Sequence, residues 1–170
     1  MSDKLPDLSV IIEETQGMEY IRRAMRQCGA RREYTDLELF RARESVLYAN
    51  TYWLTLTGVP PRAQSHLAKS GPGWYLWSQT QRPDRHGVDG NYDLIIQCNA
   101  EALLNLAEKR LCGQAWAETR AVVAAIREAV RSLHAELADL MQPACVWHGQ
   151  CRKVNPCGWY QGQKLLGDKE

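Results

Sequence analysis

The stretch WAETRAVVAAIREAVRSLHAELADL, residues 116–140, has the clearest periodic pattern of the chain. Its apolar residues recur at alternating steps of three and four, which is the spacing of a seam in left-handed helical packing. A helix that packs within the chain is predicted, with a homodimer through the Val123–Leu140 seam as the alternative. The seam consists of Trp116, Val123, Ile126, Val130, Leu133, Leu137 and Leu140.

The residues before the seam predict another helix, antiparallel to it. Residues 103–111 contain four leucines, and Gly113, after Lys109 and Arg110, is typical of a helix C-terminus. Residues 92–97 have the composition of a short strand as well. The only apparent partner for such a strand is residues 8–12. We therefore expect residues 92–97 to form the first turns of the helix instead.

Two further helices are expected in the N-terminal half. The apolar residues of segment 18–28 recur at steps of three and four, which predicts an amphipathic helix. Thr35 and Glu38 have the spacing of a capping box, which marks a helix start. Pro60 cannot continue a helix, so residues 35–57 are predicted to form one long central helix.

These patterns together predict a mainly α fold. We expect a helical bundle of about four helices over residues 1–141 and a small metal-stabilised C-terminal tail over residues 142–170. Residues 58–90 are rich in glycine and proline but contain Trp74 and Trp77, which predicts a long aromatic loop. Long connections in compact domains are usually functional or disordered, and the aromatic residues argue against disorder.

The charge is small overall and unevenly distributed. A formal net charge of +1 argues against a chain that coats nucleic acid by bulk attraction. Arginine outnumbers lysine fifteen to six, and residues 18–43 hold seven arginines against four acids. Arginine suits bidentate contact with phosphate or carboxylate. A local basic surface is therefore expected, formed by Arg22, Arg23, Arg26, Arg31 and Arg32.

Several classes of protein fit the sequence poorly. No segment approaches the roughly 18 apolar residues that span a bilayer, and the acidic N-terminus does not resemble a secretory signal. A cytoplasmic protein with reduced cysteines is expected. The chain has no His-Glu-x-x-His pair, phosphate-binding glycine loop or serine elbow, and this leans against an enzyme.

The tail concentrates metal-ligand residue types. Cys145, His148, Cys151 and Cys157 supply three sulfurs and one nitrogen within thirteen residues, a combination that holds zinc in structural sites. Zn is therefore the expected cofactor. An iron–sulfur or redox arrangement completed by Cys112, or free thiols in a packed tail, are the alternatives.

The predicted function follows from the tail and the basic surface. We expect a non-catalytic, zinc-stabilised regulatory protein that acts on nucleic acid or transcription. The alternative is a protein-interaction factor or inhibitor that binds an enzyme or assembly without nucleic acid, and a second alternative is an iron–sulfur or redox protein. Further candidate contacts to the partner combine cations with flat rings: Trp74, Trp77, Arg82, Arg85, Arg152, Lys153 and Trp159.

Overall fold

The computed structural model describes residues 5, 7–43, 45–78 and 91–160. Four strands form one antiparallel sheet in the order β1-β2-β4-β3. The strands are β1 (Ser9–Gln16), β2 (Thr51–Val59), β3 (Trp74–Ser78) and β4 (Tyr92–Cys98). The helices are α1 (Met18–Gln27), α2 (Asp36–Ala42), α3 (Pro61–Leu67), α4 (Ala100–Arg110), α5 (Ala117–Arg131), α6 (Ala135–Leu140) and α7 (Ala144–Trp147), and Ser45–Ala49 forms a 3-10 turn.

The sheet shows that the prediction of a mainly α helical bundle is wrong. The predicted central helix over residues 35–57 divides into α2, the 3-10 turn and β2. In β2, Tyr52, Leu54 and Leu56 are fully buried while Thr55 and Thr57 are exposed. This period of two is the pattern of a strand with one buried face, and the alternating β-branched threonines favour it.

Residues 92–97, predicted to begin a helix, are the central strand β4. Leu94 and Ile96 are buried and Ile95 is exposed, which is again a period of two. The strand pairs with β2 on one side and with β3 on the other. β3 lies within the predicted loop over residues 58–90, and so does α3, so that region is partly regular.

The helices cover one face of the sheet. The seam of residues 116–140 is divided between α5 and α6, and its Val123, Ile126, Val130 and Leu137 are fully buried within the chain. The inner residues of the sheet, such as Leu54 and Ile96, belong to the same core. Antiparallel sheets commonly pack one face on helices in this way.

Local predictions of helix ends were more accurate than the fold class. α1 spans Met18–Gln27, as the three-and-four spacing predicts. The Thr35 side chain accepts a hydrogen bond from the Glu38 backbone N–H, and the Glu38 carboxylate accepts one from the Thr35 backbone N–H, so the capping box is confirmed. No helix in the described part of the chain is long and apolar enough to cross a membrane.

Candidate active site

Helices α3, α4 and α5 bring polar side chains together. His66 near the end of α3 places Nδ1 2.9 Å from the hydroxyl oxygen of Thr119, which is fully buried in the first turns of α5. Arg110 at the end of α4 donates to the backbone carbonyl of His66 at 3.2 Å. These contacts fix the imidazole and the guanidinium relative to each other.

Cationic groups gather around this His66–Thr119 pair. Arg62, one helical turn before His66, lies 4.5 Å from the ring centroid of Trp116, and Lys69 follows α3. The Nε atom of Arg110 is buried without a hydrogen-bond partner. Among the residues that the structure describes, no carboxylate forms an ion pair with Arg62, Lys69 or Arg110. We call Arg62, His66, Lys69 and Arg110 the cationic cluster.

The surroundings of His66 in the cationic cluster lower its pKa. Desolvation lowers the pKa of His66, and the positive charges of Arg110 and Lys69 lower it further. An anion placed between these groups would oppose the repulsion and return the pKa toward its ordinary value. Arg62, Lys69 and Arg110 have no ion-pair partner among the described residues, and the Nε of Arg110 has no hydrogen-bond acceptor. Such a group of cations suits phosphate oxygens, which accept charge-assisted hydrogen bonds.

Most of the arginines predicted to form a basic surface are in a separate region. Arg22 forms an ion pair with Asp36, and Arg32 forms one with Glu38 and covers the ring of Tyr34 at 4.1 Å. Arg26 lines the same shallow groove as these two. Arg23 and Arg31 are exposed on and just after α1. Two of the five predicted cations are thus neutralised within the chain.

The predicted aromatic contacts also separate. Trp74 is buried in the core, whereas Trp77 lies on the opposite face of the sheet, where its ring stacks on Trp53 at 5.7 Å. Successive side chains of β3 point to opposite faces, so a strand cannot present both rings to one ligand. Arg82 and Arg85 lie outside the described residues.

The cysteines of the tail surround a cavity of about 250 Å³. Cys145 lies in α7 and Cys112 lies in the turn after α4, while Cys157 reaches Gly113 so closely that a Cβ there would lie 3.0 Å from its sulfur. Burial raises the pKa of the Cys145 thiol, and the neighbouring thiols raise it further. The predicted contacts Arg152, Lys153 and Trp159 line the cavity too.

The prediction of a zinc site is corrected by this arrangement. Residues 145–160 are all described, and within the described chain no three Cys, His, Asp or Glu side chains are placed to hold a metal ion. Zinc needs its ligands within about 2.3 Å of one point. The four predicted zinc ligands, Cys145, His148, Cys151 and Cys157, line the same cavity, but no three of them are placed to hold one metal ion.

The cationic cluster does not appear among the residues predicted from the sequence. Arg62 and His66 are four residues apart, which places them on one face of a helix, and Arg110 was interpreted only as a helix-end charge. The i, i+4 spacing of Arg62 and His66 was the available signal. The sequence offers no direct sign that the end of α4 lies beside α3.

Comparison with known proteins gives the fold a context. No protein-family model matches the chain, and no curated protein matches it. Among solved structures, thymidylate synthase X (ThyX) from Helicobacter pylori with FAD and dUMP matches with a TM-score of 0.64 and 16% identity, over 79% of this chain and 99% of that chain. The UMP/dUMP methylase PolB from Streptomyces cacaoi bound with 5-Br dUMP matches with a TM-score of 0.61 and 14% identity, over 79% and 94%.

These matches also correct the predicted function. A zinc-stabilised regulator of nucleic acid or transcription rested on a helical bundle and a metal-clipped tail, and neither is present in the described residues. The alternative of an interaction factor rested on the aromatic loop and the tail, and the alternative of an iron–sulfur or redox protein rested on the tail cysteines. The chain instead has the α/β fold seen in the flavin-dependent thymidylate synthase ThyX.

Proposed function

We propose that this chain is a flavin-dependent enzyme that binds a uridine mononucleotide and methylates its base. The fold alone does not carry this, because one fold hosts many functions. The observation that carries it is the cationic cluster, whose Arg62, Lys69 and Arg110 have no ion-pair partner among the described residues and whose Arg110 Nε has no hydrogen-bond acceptor. This cluster lies on a fold whose solved neighbours are described with FAD and dUMP or with 5-Br dUMP.

The residues present fit the phosphate-bearing parts of these ligands. Arg62 and Arg110 offer guanidinium donors, Lys69 adds a third positive charge, and the orphaned Arg110 Nε is a buried donor that a phosphate oxygen can satisfy. Trp116 is 54% exposed beside Arg62 and offers a flat surface to a ring. Flavin, when bound, supplies hydride and electron transfer.

His66 has a separate role in this proposal. Its lowered pKa keeps the imidazole neutral near pH 7, so it can donate or accept a hydrogen bond without adding charge. The Thr119 hydroxyl holds Nδ1 and leaves Nε2 to contact a ligand. His66 therefore orients the bound nucleotide while Arg62, Lys69 and Arg110 bind its charge.

Binding and turnover test this function separately. The purified protein should show a flavin absorption spectrum after incubation with FAD, and calorimetry should detect binding of dUMP or UMP but not of uridine, which lacks phosphate. Arg110→Gln should weaken nucleotide binding by roughly 10- to 100-fold, since a charged hydrogen bond contributes about 1.5–3 kcal/mol. Arg23→Gln, an exposed arginine on α1, is the matched control.

Three results would contradict or limit this function. A protein that binds neither FAD nor a uridine nucleotide contradicts the proposal. If both ligands bind, conversion of dUMP or UMP to its 5-methyl product, with a one-carbon donor and a reductant supplied, is the final test. Equal losses of affinity in Arg110→Gln and Arg23→Gln would place the nucleotide outside the cationic cluster.

A further inference from the structure

Four of the six cysteines line one cavity, where the end of α4, α7 and the tail meet. The cavity encloses about 250 Å³, and the four are Cys112, Cys145, Cys151 and Cys157. All of them are free thiols. Neither the proposed nucleotide site nor a single metal ion uses them within the described chain, so their common placement has no role so far.

The tail packs against the turn that joins α4 to α5. The side chain of Cys157 lies so close to Gly113 that a Cβ on the glycine would be 3.0 Å from the Cys157 sulfur and 3.5 Å from its Cβ. The side-chain amide of Gln114 donates a hydrogen bond to the Asn155 carbonyl. Residues 155–157 therefore lie directly against residues 112–114.

This packing brings Cys157 within one residue of Cys112. The two Cβ atoms of a disulfide are about 3.5–4.5 Å apart. The Cβ of Cys157 already has such a distance from the position that a Cβ would take on Gly113, the neighbour of Cys112. Both cysteines line the cavity, which leaves room for the Cys157 side chain to turn toward Cys112.

We propose that Cys112 and Cys157 form a reversible disulfide that fastens the tail to the turn after α4. The oxidant is a small-molecule disulfide such as oxidised glutathione. The Cys157 thiolate attacks one of its sulfurs, which forms a mixed disulfide and releases one glutathione thiolate. The Cys112 thiolate then attacks the Cys157 sulfur and releases the second glutathione. The two protons of the protein thiols end on the two glutathione thiols.

The order of these steps follows from exposure. Cys157 is exposed and Cys112 is half-buried, so the oxidant reaches Cys157 first. Burial raises the pKa of the Cys145 thiol, and the neighbouring thiols raise it further. Because the thiolate is the attacking form, Cys145 competes poorly for the mixed disulfide.

The turn that would be fastened belongs to the surroundings of the cationic cluster. Cys112 lies two residues after Arg110, and its carbonyl accepts a hydrogen bond from the Ala115 N–H at 2.9 Å. Trp116 follows as the first residue before α5. A disulfide at Cys112 therefore restricts the chain between Arg110 and Trp116. This step rests on the proposed function, since a preorganised turn lowers the cost of ordering the site around a bound nucleotide.

Incubation of the full chain with oxidised glutathione tests the pairing. A tryptic digest should then contain the peptide of residues 111–120 joined to that of residues 154–164, and dithiothreitol should separate them. The disulfide closes a loop of about 45 residues, so the oxidised protein should melt roughly 5–15 °C above the reduced protein. Cys112→Ser and Cys157→Ser should remove this shift. Cys28→Ser, at an exposed cysteine outside the cavity, should keep it.

Calorimetry of dUMP binding to the two forms tests the link to the cationic cluster. The oxidised protein should bind dUMP about 3- to 10-fold more tightly than the reduced protein, and Cys157→Ser should abolish the difference. Equal affinities of the two forms would overturn the link. Binding to neither form would contradict the proposed function instead, while the digest and the melting shift still decide the disulfide.

Other outcomes would overturn the disulfide itself. These are thiols that stay reduced in excess oxidised glutathione, and a bond between Cys145 and Cys151 in place of the expected pair. One equivalent of bound iron or zinc in protein purified under reducing conditions would assign the cysteines to a metal. If Cys112→Ser does not fold by circular dichroism, Cys157→Ser on the exposed tail decides.

Discussion

The backbone of Gly58 in β2 passes so close to Asp7 that a Cβ on the glycine would lie 2.2 Å from the Asp7 carbonyl oxygen. Gly58 also has a φ of +72°, in the left-handed region. Two independent requirements therefore select glycine where the residues before β1 lie against β2.

Gly58→Ala should consequently be among the most damaging small substitutions in the chain. The positive φ costs about 1–2 kcal/mol, and overpacking against the backbone adds about 1–3 kcal/mol. Gly71→Ala is the matched control, because Gly71 has a φ of +105° and open space around its Cβ position. Urea unfolding should show Gly58→Ala as clearly less stable, and equal losses would contradict the close approach.

A pair of neighbouring residues tests the strand assignment of residues 51–59. Leu54 is fully buried on the inner face, whereas Thr55 points outward. Leu54→Ala should cost about 2–5 kcal/mol of unfolding free energy through lost burial and the cavity left behind. Thr55→Ala should cost under about 1 kcal/mol. A similar loss at both positions would contradict the alternation.

Arg43 connects α2 to α4 through several contacts. Its guanidinium forms ion pairs with Glu101, at 2.8 Å, and with Glu108, and the three side chains are 22%, 15% and 16% exposed. Arg43→Ala leaves two partly buried carboxylates without their cation, so we expect a loss of about 2–4 kcal/mol, somewhat below that for a fully buried pair. Arg131→Ala, which breaks an exposed pair with Asp139, should cost under about 1 kcal/mol.

The double variant Arg43→Ala with Glu101→Gln checks the cause of that loss. Removing one uncompensated carboxylate should recover part of the stability, which thermal unfolding of the single and double variants measures. Strictly additive losses would show that packing of the Arg43 side chain, rather than its charge, holds α2 on α4.

The pH dependence of the cationic cluster follows from His66. Because its folded-state pKa is lowered, folding disfavours the protonated imidazole. The associated stability is present above the unfolded-state pKa and is lost as pH falls through it toward the folded-state value. A proton NMR titration, with the signal assigned from His66→Gln, should find the pKa of His66 below that of a solvent-exposed histidine.

Two changes should raise that pKa. Arg110→Gln removes one repelling charge, and added phosphate or dUMP supplies an attracting one. A pKa that neither change moves would contradict an electrostatic contact between His66, Arg110 and a bound anion.

The accuracy of the sequence analysis differed between local and long-range features. The capping box of Thr35 and Glu38 depends on four consecutive residues and was predicted correctly. Residues 51–57 are predicted to be helical because Leu47 and Leu54 fit a seven-residue step, but Tyr52, Leu54 and Leu56 also fit the period of two of a strand. A short apolar run fits either period, and only its partner strands decide.

The cationic cluster likewise depends on contacts between residues that are distant in the sequence. Arg62 and His66 are neighbours on one helix, but Thr119 and Arg110 join them from 53 and 44 residues away. Such contacts depend on how α3 packs against α4 and α5, which no local pattern encodes. The tail had the opposite problem, since its ligand-type residues suggested a chemistry that their placement does not support.

The strand order β1-β2-β4-β3 has a consequence for biosynthesis. β1 and β2 can pair soon after residue 59 leaves the ribosome, but the neighbour of β2 on its other side is β4, more than thirty residues later in the chain. Until then β2 has one edge of unpaired amides and carbonyls, which invites association with other chains. Nascent protein stalled between residues 59 and 92 should therefore depend most on chaperones.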